Sequence, residues 1–200
     1  MPGALKLSAH LPFVLVPARH HDDRGWVSEI FRADRLRELG IVCSFVQDNL
    51  SSSRRKGTLR GLHFQQPPAA QAKLVSVVAG AVLDLIVDVR HASPTYGKWV
   101  SVELSRENDR QLFVPIGFAH GLVTLVDAVT VLYKVSDYYA PDHDTGIRRN
   151  DPDIAVAWPF LGGDMVRSER DDRLPLLAEL ESPFAYDGHP LAGLPTVDLD

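Results

Sequence analysis

Cysteine is almost absent from this chain: Cys43 is the only one among 200 residues. That excludes an intramolecular disulfide framework and fits a reducing compartment. Long apolar runs are missing too. The stretch from Met1 to Pro17 carries Lys6 and short apolar segments, but Ser8, His10 and prolines interrupt any signal-peptide core, and no run approaches membrane length. The expectation is a cytoplasmic protein with no membrane partner. Positive charge is in deficit, with a formal net charge of -5. No general basic field is available for nucleic acid or an anionic membrane, so an anionic ligand has to be met by a local group of arginines. Repeats, linkers and low-complexity tracts are also lacking. With 45% hydrophobic and 24% charged residues, the chain has the composition and length for one all-β domain over residues 1–200 with a full core.

From Leu74 to Tyr138 the sequence is a series of short β-branched runs separated by turn residues, the pattern of an antiparallel sandwich or barrel. Strands are expected at Leu74–Val78, Val82–Val89, Trp99–Leu104, Gln111–Val114, Leu122–Leu125 and Val129–Val135, a jelly-roll count. A short helix is expected over Ala33–Leu39, and another within Glu169–Glu181, broken by Pro175. The tail over 183–200, rich in Pro, Gly and Asp, reads as loosely ordered. Alternation puts Tyr133 on the face of Val129, Val131 and Val135, and Lys73 on the face of Val75 and Val77. Both therefore point inward, as do Asp84 and Asp88 beside Val82 and Ile86. Buried polar groups must satisfy one another, and such sets more often mark function than packing.

Two further segments carry histidines. Gly57-Thr58-Leu59-Arg60-Gly61-Leu62-His63-Phe64-Gln65 resembles the G-x5-H-x-H opening of a cupin barrel, with Gln65 in place of the second histidine. Pro115-Ile116-Gly117-Phe118-Ala119-His120 resembles the second cupin motif, with Thr124 where an Asn is expected. Transition metals in such barrels take about three or four imidazole and carboxylate ligands. Two histidines are a poor set, so no metal is expected and proton transfer takes its place. His10, His20, His21, His91, His143 and His189 share no ligand spacing and are assigned no role.

The order and spacing of Asp22-Asp23-Arg24-Gly25, Phe45-Val46-Gln47-Asp48-Asn49, Leu59 to Gln65, Gln71-Ala72-Lys73, Gly117 to Gly121, Leu132-Tyr133-Lys134, Asp137 to Pro141 and Ser168-Glu169-Arg170-Asp171 resemble the dTDP-4-dehydrorhamnose 3,5-epimerase family. The resemblance implies an all-β, cupin-type jelly-roll barrel with a few short peripheral helices. It implies a homodimer that inverts carbons 3 and/or 5 of a dTDP-4-keto-6-deoxyhexose through an enolate, with no cofactor. His63 is then the base, paired with Asp171; Lys73 stabilises the enolate oxygen, and Tyr133 returns a proton. His120 contacts the sugar, and Tyr139 stacks on the thymine. Arg24, Arg60 and Arg170 serve the phosphates, while Glu29, Gln47, Asn49 and Asp144 are further substrate-binding positions. Arg24 and Glu29 come from the partner chain in that family. Asp144, Arg149, Arg170 and His20 depart from common family residues without removing a catalytic group.

Asp172 adjoins Asp171, so from sequence either could pair with His63. The competing readings are a single-position epimerase acting at carbon 3 or carbon 5 alone, a metal-dependent cupin, and a non-catalytic sugar-nucleotide-binding cupin.

Overall fold

A strand half-buried against a core alternates inward and outward side chains, and the β-branched runs of this chain settle into two facing sheets on that rule. The computed structural model describes residues 9–160 and 165–199. Its strands are β1 (Phe13–Pro17), β2 (His20–Asp22), β3 (Gly25–Val27), β4 (Gln47–Ser53), β5 (Leu59–Gln65), β6 (Lys73–Ala79), β7 (Ala81–Asp88), β8 (Trp99–Ser105), β9 (Gln111–Val114), β10 (Phe118–Thr124), β11 (Val129–Val135), β12 (Asp144–Gly146) and β13 (Thr196–Leu199). Two short helices, α1 (Ala33–Glu38) and α2 (Glu169–Asp172), lie among them. One sheet runs β13-β1-β9-β6-β11-β4, the other β12-β5-β10-β7-β8, and β2-β3 form a separate hairpin. This is the jelly-roll architecture.

The main core lies between the sheets. Val75, Val77, Leu112, Val114, Val129 and Val131 come from the first sheet and meet Val82, Ile86, Leu104, Phe118 and Leu122 from the second. Alternation in β11 is as expected: Val129, Val131 and Val135 are buried, and Tyr133 packs against the same cluster.

Each of the six expected strands is present, but β10 starts at Phe118, ahead of the expected Leu122. His120 therefore sits inside a strand. The expected helix around Pro175 is two pieces, α2 and a single 3₁₀ turn at Leu177–Glu179. The tail reading is corrected outright. Residues 183–199 pack on the barrel: Phe184 is buried, Leu191 and Leu194 rest on the main core, and β13 pairs in parallel with β1, Val14 opposite Thr196 through Pro17 opposite Leu199. Isolated apolar residues spaced by Pro and Gly are enough when an open sheet edge is waiting for them.

Candidate active site

The two sheets part at one end of the sandwich, and polar side chains replace the valines there. From the first sheet, β6 contributes Lys73 and β11 contributes Tyr133. From the second, β5 and β10 contribute His63 and His120, which are direct register partners. These residues line a cavity of about 480 Å³ together with Arg60, Ser168, Arg170 and Asp171. A second lobe of about 300 Å³ shares His63, Lys73 and Tyr133 and continues to Gln47, Asn49, Tyr139 and Asp144.

Local backbone sets the two histidines. Gly61 precedes His63 by two residues with φ +128°, a region open to glycine and strained for other residues. A Cβ there would stand 2.5 Å from the Gly121 Cα. The close pass of these two glycines coincides with a register shift between His120 and Leu122 in the β5–β10 ladder, an irregularity of the kind that re-aims side chains beside active sites.

His63 Nε2 donates to Asp171 Oδ1 at 3.0 Å. Asp171, rather than its neighbour Asp172, makes this contact; Asp172 turns away to Arg167. Ser168 caps α2 by accepting from the Asp171 N–H at 3.1 Å, which fixes the start of the helix and the aspartate with it. Burial pushes the Asp171 carboxyl up, but the bond with His63, the charge of His63, the Ser168 hydroxyl and the Gly61 N–H outweigh it and hold it below the usual carboxylate range. A neutral imidazole that gives its Nε2 proton to a carboxylate keeps the Nδ1 lone pair available as a base.

His120 Nε2 donates to Asp84 Oδ1 at 2.7 Å. Asp84 is fully buried, and its Oδ2 has no hydrogen-bond partner in the structure. The sequence placed Asp84 inside but did not pair it with His120. Burial lowers the Lys73 ammonium to about 8, while the charges of Asp144 and Asp84 oppose that fall. Lys73 Nζ also donates to the His63 carbonyl oxygen at 3.4 Å. Burial raises the Tyr133 phenol, against the Arg60 guanidinium and with help from Asp144 and Tyr139. The phenol thus remains a proton donor at neutral pH.

The second lobe is a connected polar surface. Gln47 donates to Asn49 at 2.8 Å and accepts from the Tyr139 N–H at 3.0 Å. Tyr139 Oη donates to Asp144 Oδ2 at 3.2 Å, and Arg170 pairs with the same oxygen at 2.7 Å. The Tyr139 ring is left exposed. Arg167 and Ser51 also line the first lobe, unmarked by the sequence. Arg24 and Glu29 are not brought to this cleft within one chain. Arg24 sits at the β2–β3 turn, paired with Asp22 and exposed over 90% of its side chain, and Glu29 lies near Arg32 and Arg35.

The positions of the lost metal ligands have other work. Gln65 donates to the carbonyls of Ala69 and Tyr138 and accepts from the Ala140 N–H, pinning the segment that carries Tyr139. The Thr124 hydroxyl accepts from the Thr58 N–H and donates to the Arg55 carbonyl.

A histidine held by a buried aspartate on one wall and a phenol on the other, in a cleft lined by arginines, are groups suited to acid–base chemistry on a jelly roll. The chain belongs to the dTDP-4-dehydrorhamnose 3,5-epimerase family, whose profile matches residues 9–179. It is 49% identical over 170 residues to the dTDP-4-dehydrorhamnose 3,5-epimerase of Sinorhizobium fredii, spanning 85% of this chain and 87% of that one. Among solved structures it resembles the dTDP-4-dehydrorhamnose 3,5-epimerase of Bacillus anthracis with TDP and PPi bound, at TM-score 0.81 and 45% identity, covering 87% of this chain and 98% of that one. The dTDP-6-deoxy-D-glucose-3,5-epimerase of Legionella pneumophila, in complex with dTDP-4-keto-L-rhamnose, matches at TM-score 0.81 and 42% identity over 88% and 100% of the two chains.

Proposed function

We propose that this protein inverts carbons 3 and 5 of a dTDP-4-keto-6-deoxyhexose. A hydrogen beside a ketone is acidic because the carbanion delocalises onto oxygen, so the reaction needs a base, a cation for the enolate oxygen and an acid on the opposite face. His63 removes the hydrogen, and Asp171 stabilises the imidazolium that results. Lys73, as the ammonium, faces the enolate oxygen. Tyr133 then delivers its phenolic proton to the other side of the ring, and the electron pair returns to carbon as the ketone reforms. His120, oriented by Asp84, contacts the sugar.

The observation that carries this reading is the placement of His63 with its buried aspartate on one sheet and Tyr133 on the other, lining one cavity. Arg60 and Arg170 meet the diphosphate, for which a planar guanidinium fork is suited, and Tyr139 offers its ring to the thymine. Proton NMR of dTDP-4-keto-6-deoxyglucose in heavy water tests the proposal. Exchange at both carbons with appearance of the inverted sugar is expected; exchange at one carbon alone would make this a single-position enzyme, and no exchange would end the proposal.

Dimerisation belongs to the same proposal. Arg24 and Glu29 do not line their own cleft; Trp26 and Val27, which lie between them in sequence, line an apolar groove with Ile30, Val78 and Leu132. Joining two such grooves about a two-fold axis buries the apolar surface and lets Arg24 and Glu29 of each chain reach toward the other's cleft. A cytoplasmic location is also part of it, supported by a single free cysteine and by described helices none of which is long and apolar enough to cross a membrane.

A further inference from the structure

The corrected tail brings together three side chains that are far apart in sequence. His10 lies just ahead of β1, and Asp187 and His189 lie in the tail. His10 Nδ1 meets Asp187 Oδ2 at 2.9 Å, and His189 Nδ1 stands 3.6 Å from Oδ1 of the same carboxylate. The two imidazoles stack face to face, 5.0 Å between centroids and 5° from parallel. Among the described residues this is the one grouping in which ligand atoms of at least three His, Cys, Asp or Glu side chains fall within 4.8 Å of one another.

We propose that His10, Asp187 and His189 form a binding site for a divalent transition-metal ion, with zinc as its natural probe. Two imidazoles and one carboxylate are a ligand set that zinc takes readily. Ligand atoms around a tetrahedral zinc lie about 3.3 Å apart, given bonds near 2.0 Å. The contacts of 2.9 and 3.6 Å lie on either side of that spacing, and to bind one ion the stacked rings have to turn out of their parallel arrangement, a rotation open to half-exposed side chains.

Three features prepare the site. Gly188, at φ +90°, turns the chain between Asp187 and His189, and the Asp187 carboxylate accepts the His189 N–H at 3.2 Å. Arg90, buried and held by Asp88 through two hydrogen bonds, also donates to Asp187 Oδ1 at 2.8 Å. The trio of Asp88, Arg90 and Asp187 therefore sums to one negative charge, and Oδ2 presents it to His10. Finally, the tail is anchored on both sides of the site, by the Phe184 contact with the core and by the Leu191 N–H on Thr95. Cys43 lines the adjoining cleft with His10 and Asp187. That cleft shares no residue with the sugar cavity. An ion here would clip the start of β1 to the tail that carries β13, a structural role apart from the epimerase chemistry.

Calorimetric titration of chelator-treated protein with Zn²⁺, paired with thermal melts, tests the assignment. Expected are one ion per chain, a thermal midpoint raised by about a few degrees at saturation, and at least a tenfold loss of affinity in both His10→Ala and His189→Ala. Their melts without zinc report whether folding is intact. The double variant His20→Ala/His21→Ala and the variant His63→Ala should bind as the parent does. Absence of saturable binding, or full binding by His189→Ala, overturns the site; binding lost in His63→Ala instead would move the ion to the sugar cleft and overturn it equally.

Discussion

His63 and His120 face each other across neighbouring strands, yet each imidazole is held by a different buried aspartate, Asp171 at 3.0 Å and Asp84 at 2.7 Å. Each aspartate fixes the Nε2 tautomer of its partner, which keeps two adjacent histidines from competing for one proton. If His63 is the base, His63→Ala should abolish solvent exchange at carbons 3 and 5, a loss of about 10²- to 10⁴-fold. Asp171→Asn should keep the fold and lose activity through the wrong tautomer. Wild-type exchange in either variant, followed by NMR in heavy water, would separate His63 from the chemistry.

Tyr133 sits on the opposite sheet, and burial keeps its phenol protonated. Tyr133→Phe should therefore still wash hydrogen out of the substrate while forming little inverted product. The two rates come from one NMR time course; equal loss of both would make Tyr133 a packing residue.

Much of this arrangement could be read from the sequence, and the limits have physical reasons. The strands β6 to β11 announce themselves because their inward positions are valine, leucine and isoleucine. Strands β4 and β5 do not, since the inward positions of β4 are Gln47, Asn49, Ser51 and Ser53 and β5 carries Gly61 and His63. Residues that serve a cleft erase the hydrophobic period that would reveal the strand bearing them. Alternation still placed Lys73 and Tyr133 inside. The choice between Asp171 and Asp172 was invisible to it, because a four-residue helix has no face to read. The pairing of Asp84 with His120 needs the β7–β10 ladder, and the meeting of His10 with His189 needs the path of the tail, both long-range facts.

The pH response follows from Lys73. Its ammonium falls to about 8 against an ordinary 10.5 because burial disfavours the charge, so kcat/KM should decline as pH rises through about 8. Asp84→Asn removes a charge that supports the ammonium and should move that decline to lower pH. Stability has its own sign: between about 8 and 10.5 the unfolded chain binds more protons than the folded one, so unfolding free energy rises with pH there. Lys73→Met should be more stable than the parent at pH 7, by up to about 3 kcal/mol, with the gap closing as pH climbs. Urea titrations at pH 7 and 10 measure it, and a gap that does not change with pH would mean that Lys73 is solvated.

Tyr139 and Arg170 meet at Asp144, and the proposal gives them the base and the phosphates. Tyr139→Ala should weaken binding of dTDP by about 10-fold, within the range of a lost aromatic stack. Arg170→Ala should weaken it too and flatten its dependence on salt, because a charge contact is screened where a stack is not. Calorimetry with dTDP at low and high salt separates the two; unchanged affinity in both variants would place the nucleotide elsewhere.

Arg24 offers the sharpest test of dimerisation, since it is exposed and remote from its own cleft. Alone, Arg24→Ala should raise KM, and His63→Ala should be inactive. If Arg24 of the partner subunit completes each site, a mixed dimer holds one intact site, made of His63 from the first variant and Arg24 from the second. Denaturing and refolding the variants together in equal amounts should then recover roughly a quarter of the wild-type sites, read as kcat/KM at low substrate. A mixture no better than the sum of its parts would mean that Arg24 serves no site across the interface, and the groove beside Trp26 would lose its link to catalysis.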